Sequence, residues 1–150
     1  MATKFDDLTA FMHWWLNTKT FAPPVEDPTN GDEKYQGAVL YRDGQYQVEL
    51  FTIRPNTVGE PHIHPNVDSY ELYVSGDIDF TIDGKLYACS EQIKNPVPVR
   101  IYPHYWHEGV TSATGGSFLS IQKWLNGVKP TSVTLDWKDN AGNDKVAWVK

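Results

Sequence analysis

The chain has a single cysteine, Cys89, so no internal disulfide can form, and it carries no Asn-x-Ser/Thr glycosylation signal. Both absences suit a reducing compartment. Basic residues are in the minority, 13 Lys and Arg against 19 Asp and Glu, for a formal net charge of −6. That balance argues against a nucleic-acid partner, because gripping a phosphate backbone takes clustered positive charge. No apolar run approaches the length needed to cross a bilayer, and the opening MATKFDDL lacks the basic-then-apolar layout of a secretion signal. The expectation is a cytoplasmic protein that engages neither nucleic acid nor membrane.

What the chain does have is aromatic side chains: six Trp, eight Tyr and six Phe in 150 residues. This length suits one domain, 1–150, large enough to enclose a core and a pocket. The aromatic content favours strands and a cavity for a small organic molecule. No repeat, low-complexity tract or linker divides it.

One helix is expected, from Thr3 to about Thr18. Phe5, Leu8, Phe11, Met12, Trp15 and Leu16 recur at helical spacing, and Thr3 with Asp6 forms a candidate capping pair. Its apolar stripe is a docking face, for the outside of a barrel or for a partner subunit, and His13 and Trp14 lie beside it. Phe21 to Lys34, with three prolines, reads as a long irregular connection.

The rest reads as short strands separated by turns. Gly37 to Tyr41 and Gln45 to Ile53 flank the hairpin signal Asp43-Gly44; Ser69 to Val74 is closed by a turn at Gly76-Asp77; Ile78 to Ile82 and Lys85 to Ala88 flank Asp83-Gly84. Val99 to Tyr102 leads into a proline turn at Pro103, and Phe118 to Leu125 follows the turn-rich Ser112 to Gly116. Val133 to Trp137 and Val146 to Val149 are expected to close the chain as a hairpin, within about 131–149. Many short strands with one terminal helix imply an all-β sandwich or barrel, the barrel occupying about 36–125.

Two stretches carry chemistry. In PHIHPNVDSYELYVSG, His62 and His64 are separated by one residue, so on extended backbone both imidazoles point the same way, as a pair of metal ligands would. Later, Pro103-His104-Tyr105-Trp106-His107 returns a third histidine after a turn. Glu71 and Tyr73 share the strand face of Ser69, whereas Asp68 and Tyr70 face the other way. Gln47 and Glu49 also share a face that could serve the pocket, with solvent exposure as the default. Cys89 has no basic neighbour in sequence and reads as a small core filler rather than a nucleophile.

From Gln45 to Trp124 these residues resemble the cupin superfamily. Its first motif is a histidine pair, a glutamate and a later glycine before a hairpin, matched here by His62, His64, Gly76 and the Asp83-Gly84 turn; its second, a proline turn and a histidine, is matched by Pro103 to His107. The resemblance implies a double-stranded β-helix, or jelly-roll barrel, with an N-terminal helix, and a divalent metal held by His62, His64 and His107. The departure is that the family's acidic ligand falls at Ser69. Glu71, two residues further along, is then either a fourth ligand or an acid in the same cavity, and the metal otherwise has three histidines with open positions.

Neutral imidazole suits Fe, Mn, Ni, Zn and Cu alike. Only the resemblance favours Fe(II), since three-histidine iron sites of this kind occur in thiol, diketone and gentisate dioxygenases. The alternatives are a metal-dependent isomerase, epimerase or lyase for a sugar or small acid, and a non-catalytic ligand-binding cupin. Glu71, Tyr73 and His104 are the candidate catalytic residues beside the metal. The expected partner is a small-molecule substrate, and a homodimer through sheet faces or the Trp137 and Trp148 tail is expected alongside a monomer.

Overall fold

A computed structural model of the protein describes residues 5–18, 29–31, 35–59 and 61–133. The main elements are a helix α1 (Leu8–Thr18), strands β1 (Thr29–Gly31), β2 (Tyr35–Asp43), β3 (Tyr46–Ile53), β4 (Val67–Ile82) and β5 (Lys85–Tyr87), a short helix α2 (Cys89–Lys94), and strands β6 (Val99–Ile101) and β7 (His107–Trp124). The strands run in the order β1-β2-β3-β7-β4-β5, with β6 also paired to β4, and every pairing is antiparallel. Among the described residues no helix is long and apolar enough to cross a membrane.

Two long strands make the barrel. β4 and β7 pair from Val67↔Trp124 to Ile82↔His107, with register shifts at Tyr73/Ser75 and Gly76/Ile78. Where a turn was expected at Gly76-Asp77 the strand continues through a bulge, with Gly76 at φ +82°. A Cβ on Gly76 would lie 2.2 Å from the carbonyl oxygen of Gly115, itself at φ +70°, so the two strands touch backbone to backbone at this corner. Asp77 fastens the bend by accepting the amides of Ser112 and Thr114 and the Ser112 hydroxyl. The turn-rich Ser112 to Gly116 is likewise the interior of β7, not a break before it.

The hairpins form close to where the sequence signals them. Asp83 (φ 51°) and Gly84 (φ 80°) make the two-residue link between β4 and β5. The β2–β3 link is Gly44-Gln45, one residue later than Asp43-Gly44, since Asp43 still pairs with Tyr46. The Pro103 turn is closed by the Tyr105 amide on the Tyr102 carbonyl, 2.9 Å. Inside the expected irregular connection, Thr29–Gly31 pairs with Gln36 to Ala38, and α2 occupies a stretch in which no helix was expected.

Helix α1 begins later than its apolar stripe. Asp7 caps it by accepting the Ala10 amide at 2.8 Å; Asp6 lies before the first turn, and Thr3 is outside the described residues. Phe5, Leu8, Phe11, Met12 and Trp15 are buried against Tyr41, Tyr46, Val48 and Ile121, with Trp14 half-buried beside them. The helix therefore docks on the outer face of β2, β3 and β7, and His13 is exposed. On the outer face of β4, Arg100 grips Asp68 through two bonds of 2.7 and 2.6 Å and lies against the rings of Tyr70 and Tyr102. The opposite face of each strand lines the interior, where Ile53, Ile78, Phe80, Ile82, Val99 and Ile101 form a second buried cluster. Of the expected C-terminal hairpin, 134–149 lies outside the described residues.

Candidate metal centre

The three histidines converge. His62 precedes β4 on extended backbone and forms an isolated bridge with His107, the first residue of β7. His64 stands at the entrance of β4, where its carbonyl accepts the Val67 amide at 3.3 Å. One possible ligand atom from each histidine lies within 4.8 Å of the others. The ring centroids are 4.4 Å (His62–His107), 4.8 Å (His62–His64) and 5.1 Å (His64–His107) apart.

The Nε2 atoms of His62 and His64 are 3.2 Å apart. Two ring nitrogens at that distance share either one proton or one cation. That separation is one that two nitrogens bound to a common ion at roughly 2.0–2.1 Å would accommodate. His107 is oriented by its Nδ1, which donates to the Tyr105 carbonyl at 3.1 Å. This is the outer hydrogen bond that fixes tautomer and ring direction in metal-binding histidines, and it directs the Nε2 lone pair to ligation. Burial pushes His64 and His107 well below the usual 6.5, and the neighbouring histidines push them further. Neutral imidazole is the ligating form, so the donor set fits a divalent metal.

The remaining expected site residues are not in the histidine group. Glu71 faces the interior with Oε1 accepting the hydroxyls of Ser69 and Ser120, each at 2.9 Å, and it is not part of the histidine group. Ser69, at the family's acidic position, thus holds the acid that follows it. The Tyr73 hydroxyl donates to the Gly76 carbonyl at 2.7 Å, bracing the corner. His104 is exposed on the Pro103 turn, stacked on Tyr102 with centroids 6.1 Å apart. Cys89 is half-buried at the start of α2, its thiol 3.4 Å from the Gly76 carbonyl, not packed in the core.

Gln47 and Glu49 overturn the expectation of solvent exposure: both are fully buried. They belong to an interior polar network with Ser120 and Gln122 of β7. Gln122 Nε2 donates to Glu49 and to Ser120, and Gln47 Nε2 reaches Gln122 Oε1 at 2.9 Å and Glu49 Oε1 at 3.2 Å. A segment beyond β7 closes over them, through Ser132 Oγ to Glu49 Oε2 (2.7 Å), the Val133 amide to Glu49 Oε1 (2.7 Å), and Gln47 to the Thr131 carbonyl. The signal in the sequence was strand parity, which places Glu49, Glu71 and Ser120 on inward faces.

No protein-family model and no curated protein matches the sequence. Solved structures do match. KdgF from a Halomonas species is 15% identical with a TM-score of 0.56, over 69% of this chain and 92% of that one. An RmlC-like cupin from Shewanella frigidimarina is 13% identical with a TM-score of 0.52, over 84% and 95%. A cupin-2 domain from Rhodospirillum rubrum is 14% identical with a TM-score of 0.52, over 83% and 81%. At such identities the likeness speaks to architecture alone, and on that ground the chain has the cupin fold, a small double-stranded β-helix with three histidines gathered in its barrel.

Proposed function

We propose that the protein is a metal-dependent enzyme acting on a small organic molecule, with a divalent ion held by His62, His64 and His107. The observation that carries this reading is the 3.2 Å approach of two imidazole nitrogens, with the third ring aimed by a carbonyl. When bound, such an ion supplies open coordination positions and Lewis acidity, and, if it is iron, redox capacity towards oxygen. The histidines would hold the ion and orient what binds beside it. The most concrete form is a mononuclear non-haem iron dioxygenase.

A second reading has its own support. The interior carries two buried carboxyls, Glu49 on β3 and Glu71 on β4, and proton-moving groups of that kind suit isomerisation or elimination at a Lewis-acidic metal. Reconstitution with Fe(II) under anaerobic conditions, followed by oxygen uptake with thiols, diketones and hydroxylated aromatic acids, separates the two. Oxygen consumed only with substrate supports the dioxygenase. Turnover with Mn, Ni or Zn and no oxygen supports the isomerase or lyase, and binding without turnover leaves a ligand-binding cupin. Loss of metal from His107→Ala tests the site itself.

A further inference from the structure

The pairing register brings two acids to either side of one serine. Glu49 on β3 is opposite Ser120 on β7, and Ser120 is opposite Glu71 on β4. All three side chains point into the barrel, with exposures of 0%, 2% and 8%. Two negative charges in so dry a place repel each other and both lose hydration, so one of the two acids is expected to stay neutral.

The hydrogen bonds say which. Glu49 receives Gln47 Nε2, Gln122 Nε2, the Val133 amide and the Ser132 hydroxyl. Gln122 Nε2 and the Val133 amide can only donate, whereas Gln47 Nε2 divides two hydrogens among Glu49, Gln122 and the Thr131 carbonyl and is the weakest of the four. The orientation of both side-chain amides is forced. Gln122 Oε1 accepts from Gln47 and from the Trp124 indole, while Gln47 Oε1 accepts Arg42 Nε at 2.7 Å, so both amide nitrogens are turned to their acceptors. An acid surrounded by donors is suited to the ionised form. The backbone of β2 comes close enough to seal this charge: a Cβ on Gly37 would lie 2.9 Å from Glu49 Oε2.

Glu71 differs. Ser120 accepts from Gln122 and passes its own proton to Glu71 Oε1, which also takes the Ser69 hydroxyl. Its other oxygen, Oε2, is buried with no partner among the described residues. A charged oxygen left without a donor there is costly, and a neutral carboxyl costs less to bury.

We propose that Glu49 and Glu71 share one negative charge and one proton, the charge on Glu49 and the proton on Glu71 Oε2, so that Glu71 meets a bound molecule as an acid. The proton arrangement stands without any metal; only the meeting with a bound molecule rests on the function proposed above. Glu49 acts through Glu71 and is a positioning residue. Of the charged groups that face the pair, Arg42 from β2 favours the ionised Glu49, and Glu49 opposes ionisation of Glu71. In keeping with this, burial pushes both carboxyls up, Glu49 to about 7 and Glu71 to about 8, against the hydrogen bonds that lower each.

Infrared difference spectroscopy on the full chain, with and without Zn(II), reads the carbonyl band of a buried protonated carboxyl as pH is raised. The expected result is a band at neutral pH that titrates away on the alkaline side. Glu71→Gln, which keeps the acceptor for Ser69 and Ser120, should abolish it. Glu49→Gln should retain it with a lower midpoint, because the like charge is gone; should that variant fail to fold, Ser69→Ala should raise the midpoint by removing a bond to the ionised form. A wild-type protein without the band, or a band that survives Glu71→Gln and vanishes in Glu49→Gln, overturns the proposal. The metal reading fails separately: Zn(II) bound equally by wild type and His107→Ala would refute the histidine site and leave the band untouched.

Discussion

His62 and His107 exchange both of their backbone hydrogen bonds, each amide donating to the other's carbonyl at 3.0 Å. This antiparallel pair sets the position of the third imidazole against the first two, although it comes from a distant part of the chain. The His107 ring is then turned by the Tyr105 carbonyl. Replacing His107 by Ala leaves that backbone pair intact and removes only a ligand. The expected loss of metal affinity exceeds the roughly 10- to 100-fold attached to losing an outer hydrogen bond. Isothermal titration with Zn(II), together with metal content after dialysis, measures it.

The depressed histidines make acid pH unfavourable to the fold. The folded state prefers neutral imidazole at His64 and His107, so their contribution is complete above the unfolded value near 6.5 and is lost as pH falls below it. Denaturant midpoints of the metal-free chain should show a smaller loss between pH 7 and 5 in His107→Gln than in wild type. An equal loss in both would count against burial of that ring.

Glu71 has the opposite dependence. Its value is raised to about 8 from 4.5, so its contribution to stability is complete at pH 4 and declines as pH rises towards 8. Glu71→Gln imitates the neutral acid, and should match wild type at pH 5 while exceeding it at pH 8 by more than about 1 kcal/mol, given roughly 1.4 kcal/mol per pKa unit. Urea unfolding at the two pH values decides.

Gly76→Ala should be among the most damaging single changes. The new methyl group meets the Gly115 carbonyl at 2.2 Å, and the Gly116 Cα at 2.7 Å, on a backbone with φ +82°, so backbone must shift. A loss of more than about 3 kcal/mol is expected, beyond the ordinary range for a point change. Gly84→Ala, with a similar φ of +80° but nothing within 4 Å, should cost about 1 kcal/mol and serves as the control for backbone strain alone.

Asp68→Asn tests the outer face. Arg100 and Asp68 are only partly shielded, with side-chain exposures of 26% and 14%, and Arg100 keeps its contacts with Tyr70 and Tyr102. A loss of about 1 kcal/mol is expected, with no change in metal binding, because the pair lies outside the barrel.

The histidine site was legible because its information is local. His62-x-His64 needs only the alternation of an extended chain, and Pro103 to His107 needs only a turn. The same alternation placed Asp68 and Tyr70 on one face, where both now touch Arg100. The apolar stripe from Phe5 to Trp15 announced a docked helix, though the start of the helix was set by the Asp7 cap.

What was not legible depends on contacts between strands far apart in sequence. Gly76 followed by Asp77 has the composition of a turn, and only its fit against Gly115 makes it a bulge within one strand. Glu49 looks like a surface residue until Gln122, Ser132 and Val133 arrive from more than 70 positions away to replace the water it gives up. Helix α2 has six residues, too few to display a helical period.

Because β4 and β7 both run on through the Gly76 corner, although their pairing skips 112–115, the two halves of the barrel share one pair of strands. A fragment divided at Gly76 or Gly115 would possess neither half complete, so split reporters and rearranged termini must open the chain at a reversal such as Asp83-Gly84, where a Cβ on Gly84 meets nothing within 4 Å.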